Sequence, residues 1–120
     1  MAEPHETGKK GEAIALEHLT KNGYKVLETN WQSSHKEIDI IAQKGNQLVI
    51  IEVKARKTAF FGEPEEFVTK SKQKLLIAAA NHYLIKNNLD LEVRFDIISV
   101  LFKGDQRQVS HIEDAFYPTL

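Results

Sequence analysis

The chain has 120 residues, 42% of them apolar and 28% charged, with a formal net charge of −1 and no cysteine. That size supports one domain spanning residues 1–120 with a single core, and that balance excludes a disordered chain. The lack of cysteine excludes disulfides and thiolate zinc sites, and no apolar run approaches the roughly 18 residues of a membrane helix.

Taken from the start, Met1 to Glu6 lack the basic and apolar regions of a signal peptide, so a cytoplasmic protein with no membrane partner is expected. Gly8 to Asn22 reads as a helix, with Thr7 as N-cap and Gly23 just past its end. Leu16 and Leu19 share a stripe with Ala15 beside them, and Glu12, four residues before Leu16, falls on that stripe. A core-facing carboxylate is costly unless paired or bound to metal. Gly8 and Gly11 weaken a helix by about 1 kcal/mol each relative to Ala, which points to a close approach by backbone or ligand. A first strand is expected from Tyr24 to Thr29, then a polar connection from Asn30 to Lys36 containing Trp31. Two strands follow, Glu37 to Ile41 and Leu48 to Lys54, around the turn pair Gly45-Asn46. Phe60 and Phe61 are too apolar for a solvated loop, so they pack down or meet a partner. Thr69 to about Asn87 is the second helix, capped by Thr69, with Leu75, Leu76, Ala79, Tyr83 and Leu84 as its apolar stripe and Lys72 at the N-terminal end of it. Strands at Glu92 to Phe102 and Gln108 to about Ile112 close the chain. The order is α-β-β-β-α-β-β, an α/β fold with a mixed sheet flanked by helices, and the second helix is the crossover that makes its flanking strands parallel neighbours.

Folding the hairpin about Gly45-Asn46 sets Asp39 opposite Glu52 and Glu37 opposite Lys54, all four on one face, with Ile38, Ile40, Val49, Ile51 and Val53 on the other. Directly opposed residues have Cβ atoms about 4.5–5.5 Å apart, and like charges so placed are destabilising unless a cation compensates. Asp39 and Glu52 are therefore read as oxygen ligands for Mg²⁺ or Mn²⁺ and Glu12 as an additional one. Lys54 is read as the stabiliser of transition-state charge. An ion there polarises a phosphoryl oxygen and acidifies water, which points to phosphodiester hydrolysis. Glu37 is expected as an accessory group, an ion-pair partner of Lys54. The plain alternative is a hairpin with one solvated, charged face, and an E-x-K tripeptide alone does not decide between them. Lys72 and Gln73 stand where a helix N-terminus can bind phosphate, with an ordinary solvated helix start as the equal alternative. Arg56, Lys57 and Lys70 extend a basic stretch suited to a nucleic-acid backbone, although the net charge weighs against tight general DNA binding. Asp96 is expected to pair inside the sheet, and the five histidines lack metal-ligand spacing.

Gly8-Lys9-Lys10-Gly11-Glu12, Glu37-Ile38-Asp39-Ile40-Ile41-Ala42, Leu48 to Arg56, Phe61-Gly62-Glu63-Pro64 and Arg94-Phe95-Asp96 together resemble the YraN-type family of small bacterial proteins. They also resemble, less closely, the PD-(D/E)xK nuclease superfamily of restriction endonuclease-like and Holliday junction resolvase-like folds; the YraN-type family is itself predicted to be endonuclease-like and is functionally uncharacterised. The resemblance runs from about Gly8 to Phe116. It implies an α-β-β-β-α-β endonuclease-like core, Asp39, Glu52 and Lys54 as the nuclease triad, and Glu12 as an accessory acid. It also implies a magnesium or manganese cofactor and DNA as partner, with branched or damaged structures as substrates. His35-Lys36-Glu37 departs from the pattern, because glycine commonly precedes the glutamate; a change in loop flexibility, not in a ligand, is expected there. The superfamily has catalytically silent members, so a nucleic-acid or protein-binding module on the same fold is the rival expectation. A dimeric resolvase, with Phe60 and Phe61 in a homodimer contact, is the third.

Overall fold

Five strands lie side by side in chain order, in a computed structural model that describes residues 4–34, 36–57 and 68–117. The elements are α1 (Pro4–Lys21), β1 (Lys25–Gln32), β2 (Glu37–Lys44), β3 (Gln47–Arg56), α2 (Lys70–Lys86), β4 (Glu92–Lys103) and β5 (Gln106–Phe116). β1, β2 and β3 are antiparallel neighbours, β3 and β4 run parallel through the α2 crossover, and β5 returns antiparallel on β4. This is the expected α/β architecture. No helix among the described residues is long and apolar enough to cross a membrane.

α1 begins earlier than its sequence pattern suggests. Pro4 opens it, since the first helical turn has no use for the N–H that proline lacks. Thr7 is therefore a buried residue inside the helix and not its cap. The other end follows expectation: Gly23 takes φ +83°, its N–H reaches the Thr20 carbonyl at 3.3 Å, and the Tyr24 N–H reaches Leu19 at 3.0 Å. Those two bonds and the shared burial of Leu19 and Tyr24 make a Schellman stop. A Cβ on Gly11 would stand 2.5 Å from the Ala55 Cβ, so this glycine lets α1 lie directly on β3; Gly8 meets nothing within 4 Å. The buried stripe of α1 is Thr7, Gly11, Ile14, Ala15 and Leu19. Glu12 stands one residue round from Gly11, half-buried at the rim of that stripe, where the sequence had placed it on the stripe itself.

Where a single core was expected, the two faces of the sheet carry separate cores, because each helix covers its own face. Ile40, Ala42, Val49, Ile51, Ile98 and Val100 pack with Ile14, Ala15 and Leu19 of α1. Ile41, Leu48, Ile50, Phe95 and Ile97 pack with Leu76, Ala79, Ala80 and Tyr83 of α2. Leu75, expected inside, is exposed, and Ala80 takes the inner position instead. Thr69 caps α2 as expected, its hydroxyl accepting the Lys72 N–H at 3.2 Å. β1 continues to Gln32 and takes in Trp31, whose ring stands edge-on to His82 and Tyr83 of α2; burial of that ring recruits the polar segment into the sheet. β5 likewise runs on to Phe116, which stacks on Phe95. The β2–β3 and β4–β5 turns place Gly45 (φ +57°) and Gly104 (φ +59°) at the first of two central positions, where a hairpin turn of the II′ kind needs positive φ. Phe60 and Phe61 lie outside the described residues.

Candidate active site where the hairpin strands part

β2 and β3 pair in the expected register from Lys44–Gln47 to Ile40–Ile51, and there the ladder stops. Asp39 then intervenes: its Oδ2 accepts the Val53 backbone N–H at 2.8 Å, satisfying with a side chain a donor that a ladder normally satisfies with a carbonyl. Beyond it β2 turns. Ile38 packs in the α2-side core, although Ile40, expected on the same face, packs under α1. The expected Glu37–Lys54 pairing is lost with that turn. Glu37 is exposed, and its carboxylate accepts from Gln32 and from the Asn30 amide. Asn30 sits in the left-handed region (φ +50°), and in the amide orientation that satisfies both ends its Nδ2 donates to Glu37 Oε1 at 2.9 Å and to Glu12 Oε1 at 3.1 Å.

Glu52 is buried on the α2 side of β3. Among the described residues its Oε2 has no hydrogen-bond partner, and the nearest cation, Lys36 Nζ, stands 3.9 Å away. Burial, then the charge and hydrogen bonding of Asp39, push its pKa from 4.5 up to about 7, against the pull of Lys36 and Lys72. Two residues on, half-buried Lys54 meets Lys72 from the first turn of α2. Burial lowers the Lys54 pKa, contact with Lys72 lowers it further, and Glu52 and Asp39 act in the opposite direction. Lys72 faces the sheet because it lies four residues before buried Leu76 on a helix started by the Thr69 cap. For Glu12, burial and then Asp39 raise the pKa, and the Asn30 hydrogen bond works against them.

Asp39, Glu52, Lys54, Lys72 and, at the rim, Glu12 thus influence one another across four elements. Arg56 is half-buried at the end of β3, while Lys57 and Lys70 are exposed. The Gln73 amide donates to the Val68 carbonyl at 3.1 Å and so braces the entry to α2. Among the described residues no three His, Asp or Glu side chains already form a metal-ligand cluster. Two adjacent carboxylates, one with an orphaned buried oxygen, still suit a hard divalent cation whose remaining positions are taken by water or substrate oxygens. Lys36 and Asn30 were missed in the sequence. The departure at Lys36 bears on the site itself and not only on its loop. The single clue to Asn30 was its residue type, since asparagine is the side chain that best tolerates positive φ after glycine.

A second polar centre lies on the α1 side. Arg94 donates from Nε and Nη2 to the two oxygens of Asp96 at 2.9 and 2.8 Å, as expected for a pair inside the sheet. His111 Nε2 lies 2.7 Å from Asp96 Oδ2 and the Asp114 N–H 3.2 Å from Oδ1. Arg94 also donates to the Tyr24 hydroxyl and to Gln47, and His111 Nδ1 meets His18 Nε2 at 3.0 Å.

Comparison with known proteins agrees with the motif pattern. Residues 11–100 match the uncharacterised protein family UPF0102. A UPF0102 protein of Flavobacterium psychrophilum is 53% identical over 117 residues, covering 98% of both chains. One from Christiangramia forsetii is 45% identical with the same coverage, and one from Phocaeicola vulgatus is 45% identical over 100% of this chain and 99% of its own. The chain therefore belongs to family UPF0102, the YraN-type family that its motifs resemble.

Proposed function

We propose that this chain is a metal-dependent endonuclease of the cytoplasm that hydrolyses phosphodiester bonds of DNA, acting on branched or damaged structures. The observation that carries this reading is Glu52 Oε2, buried beside Asp39 with no hydrogen-bond donor among the described residues. A buried carboxylate pair that Lys36 and Lys72 offset only in part is costly, and a divalent ion, Mg²⁺ or Mn²⁺, would remove the cost. Asp39 and Glu52 are the residues that would hold it, with Glu12 as the accessory acid. A bound ion supplies a polarised phosphoryl oxygen and a more acidic water. Lys54 and Lys72 are two ammonium groups in contact. A phosphate oxygen seated between them relieves their repulsion, and more so as charge builds on phosphorus during attack. α2 starts with Lys70, Lys72 and Lys74 and no acid in its first turn, so its dipole favours the same anion. Arg56 and Lys57 continue that side as contacts to the nucleic-acid backbone. Water oxygen bonds to phosphorus, the bond from phosphorus to the leaving sugar oxygen breaks, and that oxygen takes a proton.

The test is incubation of purified protein with branched, single-stranded and duplex DNA, and with RNA, in Mg²⁺ or Mn²⁺. Cleavage of a DNA structure is expected, and Glu52→Ala and Asp39→Ala each abolish it; cleavage that survives both belongs to another site or a contaminant. One observation favours a second reading, a binding module without turnover: no third acid among the described residues has closed on Asp39 and Glu52. That reading expects DNA or protein binding without cleavage, with Asp39→Asn binding as well or better. A homodimer through Phe60 and Phe61 goes with the resolvase form of the proposal, and a strictly monomeric mass in solution counts against it.

A further inference from the structure

Among the described residues Lys36 is the one cation within ion-pair distance of the orphaned Glu52 oxygen, and its placement is built. Its N–H donates to the Ser33 hydroxyl at 3.0 Å, and its carbonyl accepts from the Ser33 N–H at 3.1 Å and from the Ser33 hydroxyl at 2.9 Å. Ser33 and the Lys36 backbone are thereby tied to each other, and the lysine side chain extends from there as an arm carrying a point charge. At the end of that arm, Nζ reaches 3.9 Å from Glu52 Oε2, with only 17% of the Lys36 side chain and 7% of the Glu52 side chain exposed. The separation is that of an ion pair and is too long for a hydrogen bond. Lys36 therefore offsets charge without satisfying the oxygen.

We infer that Lys36 is an internal counter-cation of the carboxylate pair, standing in for a divalent ion and competing with it. The inference rests on the reading of Asp39 and Glu52 as ion ligands. A hard divalent ion bonds oxygen at about 2.0–2.1 Å, inside the gap that Lys36 leaves, so its arrival makes the ammonium both redundant and repelled. Lys36 is on this view a positioning and competing residue that sets the concentration of ion at which the site fills.

The experiment is calorimetric titration of the full chain with Mn²⁺ alone, for wild type, Lys36→Met, Lys36→Arg and Glu52→Gln. Lys36→Met is expected to bind Mn²⁺ more tightly than wild type, severalfold to about tenfold, as suits loss of one partly screened charge pair. Lys36→Arg keeps the cation and stays near wild type, and Glu52→Gln loses binding. Equal or weaker binding by Lys36→Met, with wild type still binding, overturns the competition and leaves the ion-ligand reading intact. If no variant binds Mn²⁺, the ion-ligand reading fails and the competition fails with it. Should Lys36→Met not fold, Lys36→Gln serves in its place with the same expectation.

Discussion

Glu52 and Asp96 are buried carboxylates one strand apart. Glu52 pairs across the parallel ladder with Ile97, and Asp96 with Ile51, so the two acids project from opposite faces at nearly the same height on the sheet. Burial pushes both toward the neutral form. At Asp96 the push is outweighed by His111, by the two-pronged bond from Arg94 and by the Asp114 N–H, and the carboxyl stays below its ordinary range. At Glu52 Lys36 and Lys72 do not outweigh it: the neighbouring acid adds to the penalty, and among the described residues one oxygen has no donor. The same sheet can therefore saturate a buried charge with protein groups or leave it short. Saturation makes a structural centre, and in the proposed function the shortfall is the place where an external cation would be favoured.

Asp96→Ala gives the harshest test of that contrast. It strands the Arg94 guanidinium, whose side chain is only 10% exposed, without its main partner. A loss of about 3–5 kcal/mol is expected in denaturant unfolding. A loss below about 1 kcal/mol, the scale of a surface ion pair, breaks the contrast.

The two acids also respond to pH in opposite directions. Because the folded-state pKa of Asp96 is depressed, its stabilisation is present above the ordinary carboxyl value of 3.8 and is lost as pH falls through the folded value. Glu52 is raised instead, so the folded chain holds its proton more tightly than the unfolded one. The stability it permits is full below 4.5 and declines as pH rises to about 7. The decline is on the order of 3 kcal/mol in the absence of divalent ions. Glu52→Gln should flatten that window and leave the acid limb governed by Asp96 unchanged. Urea midpoints for both proteins at about pH 5 and about pH 8 decide it, with parallel shifts in the two proteins as the failing outcome.

These two centres were unequally legible in the sequence. The register that opposes Asp39 to Glu52 followed from a two-residue turn and period-2 alternation, because a hairpin leaves no freedom once its turn is set. Alternation misled beyond Ile40. Asp39 bonds backbone with its side chain, β2 turns, and Glu37 passes to Gln32 and Asn30, none of which has a periodic trace. The Arg94–Asp96 pair was visible as two charges on one strand face. Its completion by Tyr24, His111 and His18 was not, since those contacts span 70, 15 and 93 positions. Trp31 and Leu75 went wrong for a related reason: the residue that fills a core depends on which elements meet there.

Gly11→Ala probes the seat of α1, which serves both centres by carrying Glu12 toward Asp39 and His18 toward His111. A methyl there meets the Ala55 Cβ at 2.5 Å, and one of the two packed elements must give. Overpacking of this kind costs about 1–3 kcal/mol, to be read from thermal unfolding. If α1 moves as a rigid rod, the His18–His111 contact loosens together with Glu12, and the histidine ring resonances shift. If only its first turns lift, those resonances hold while Glu12 titrates nearer its ordinary value.

Thr69→Ala has the smallest expected effect and the most local one. The Thr69 hydroxyl holds the Lys72 N–H, and with it the turn that presses Lys72 against Lys54. Removing the cap costs about 1 kcal/mol and frays the start of α2. Lys54 is lowered by its own burial and by Lys72, so a loosened Lys72 should let it titrate at higher pH, which side-chain NMR of the lysines would register. The rings of His111 and His18, on the far face, should not change. Movement of Lys54 alone would mean that the two centres are independent devices on one sheet, each answering only to the element packed over it. Movement of both would mean that α2 and α1 communicate through β3 and β4, and that the saturated centre does more than hold the fold.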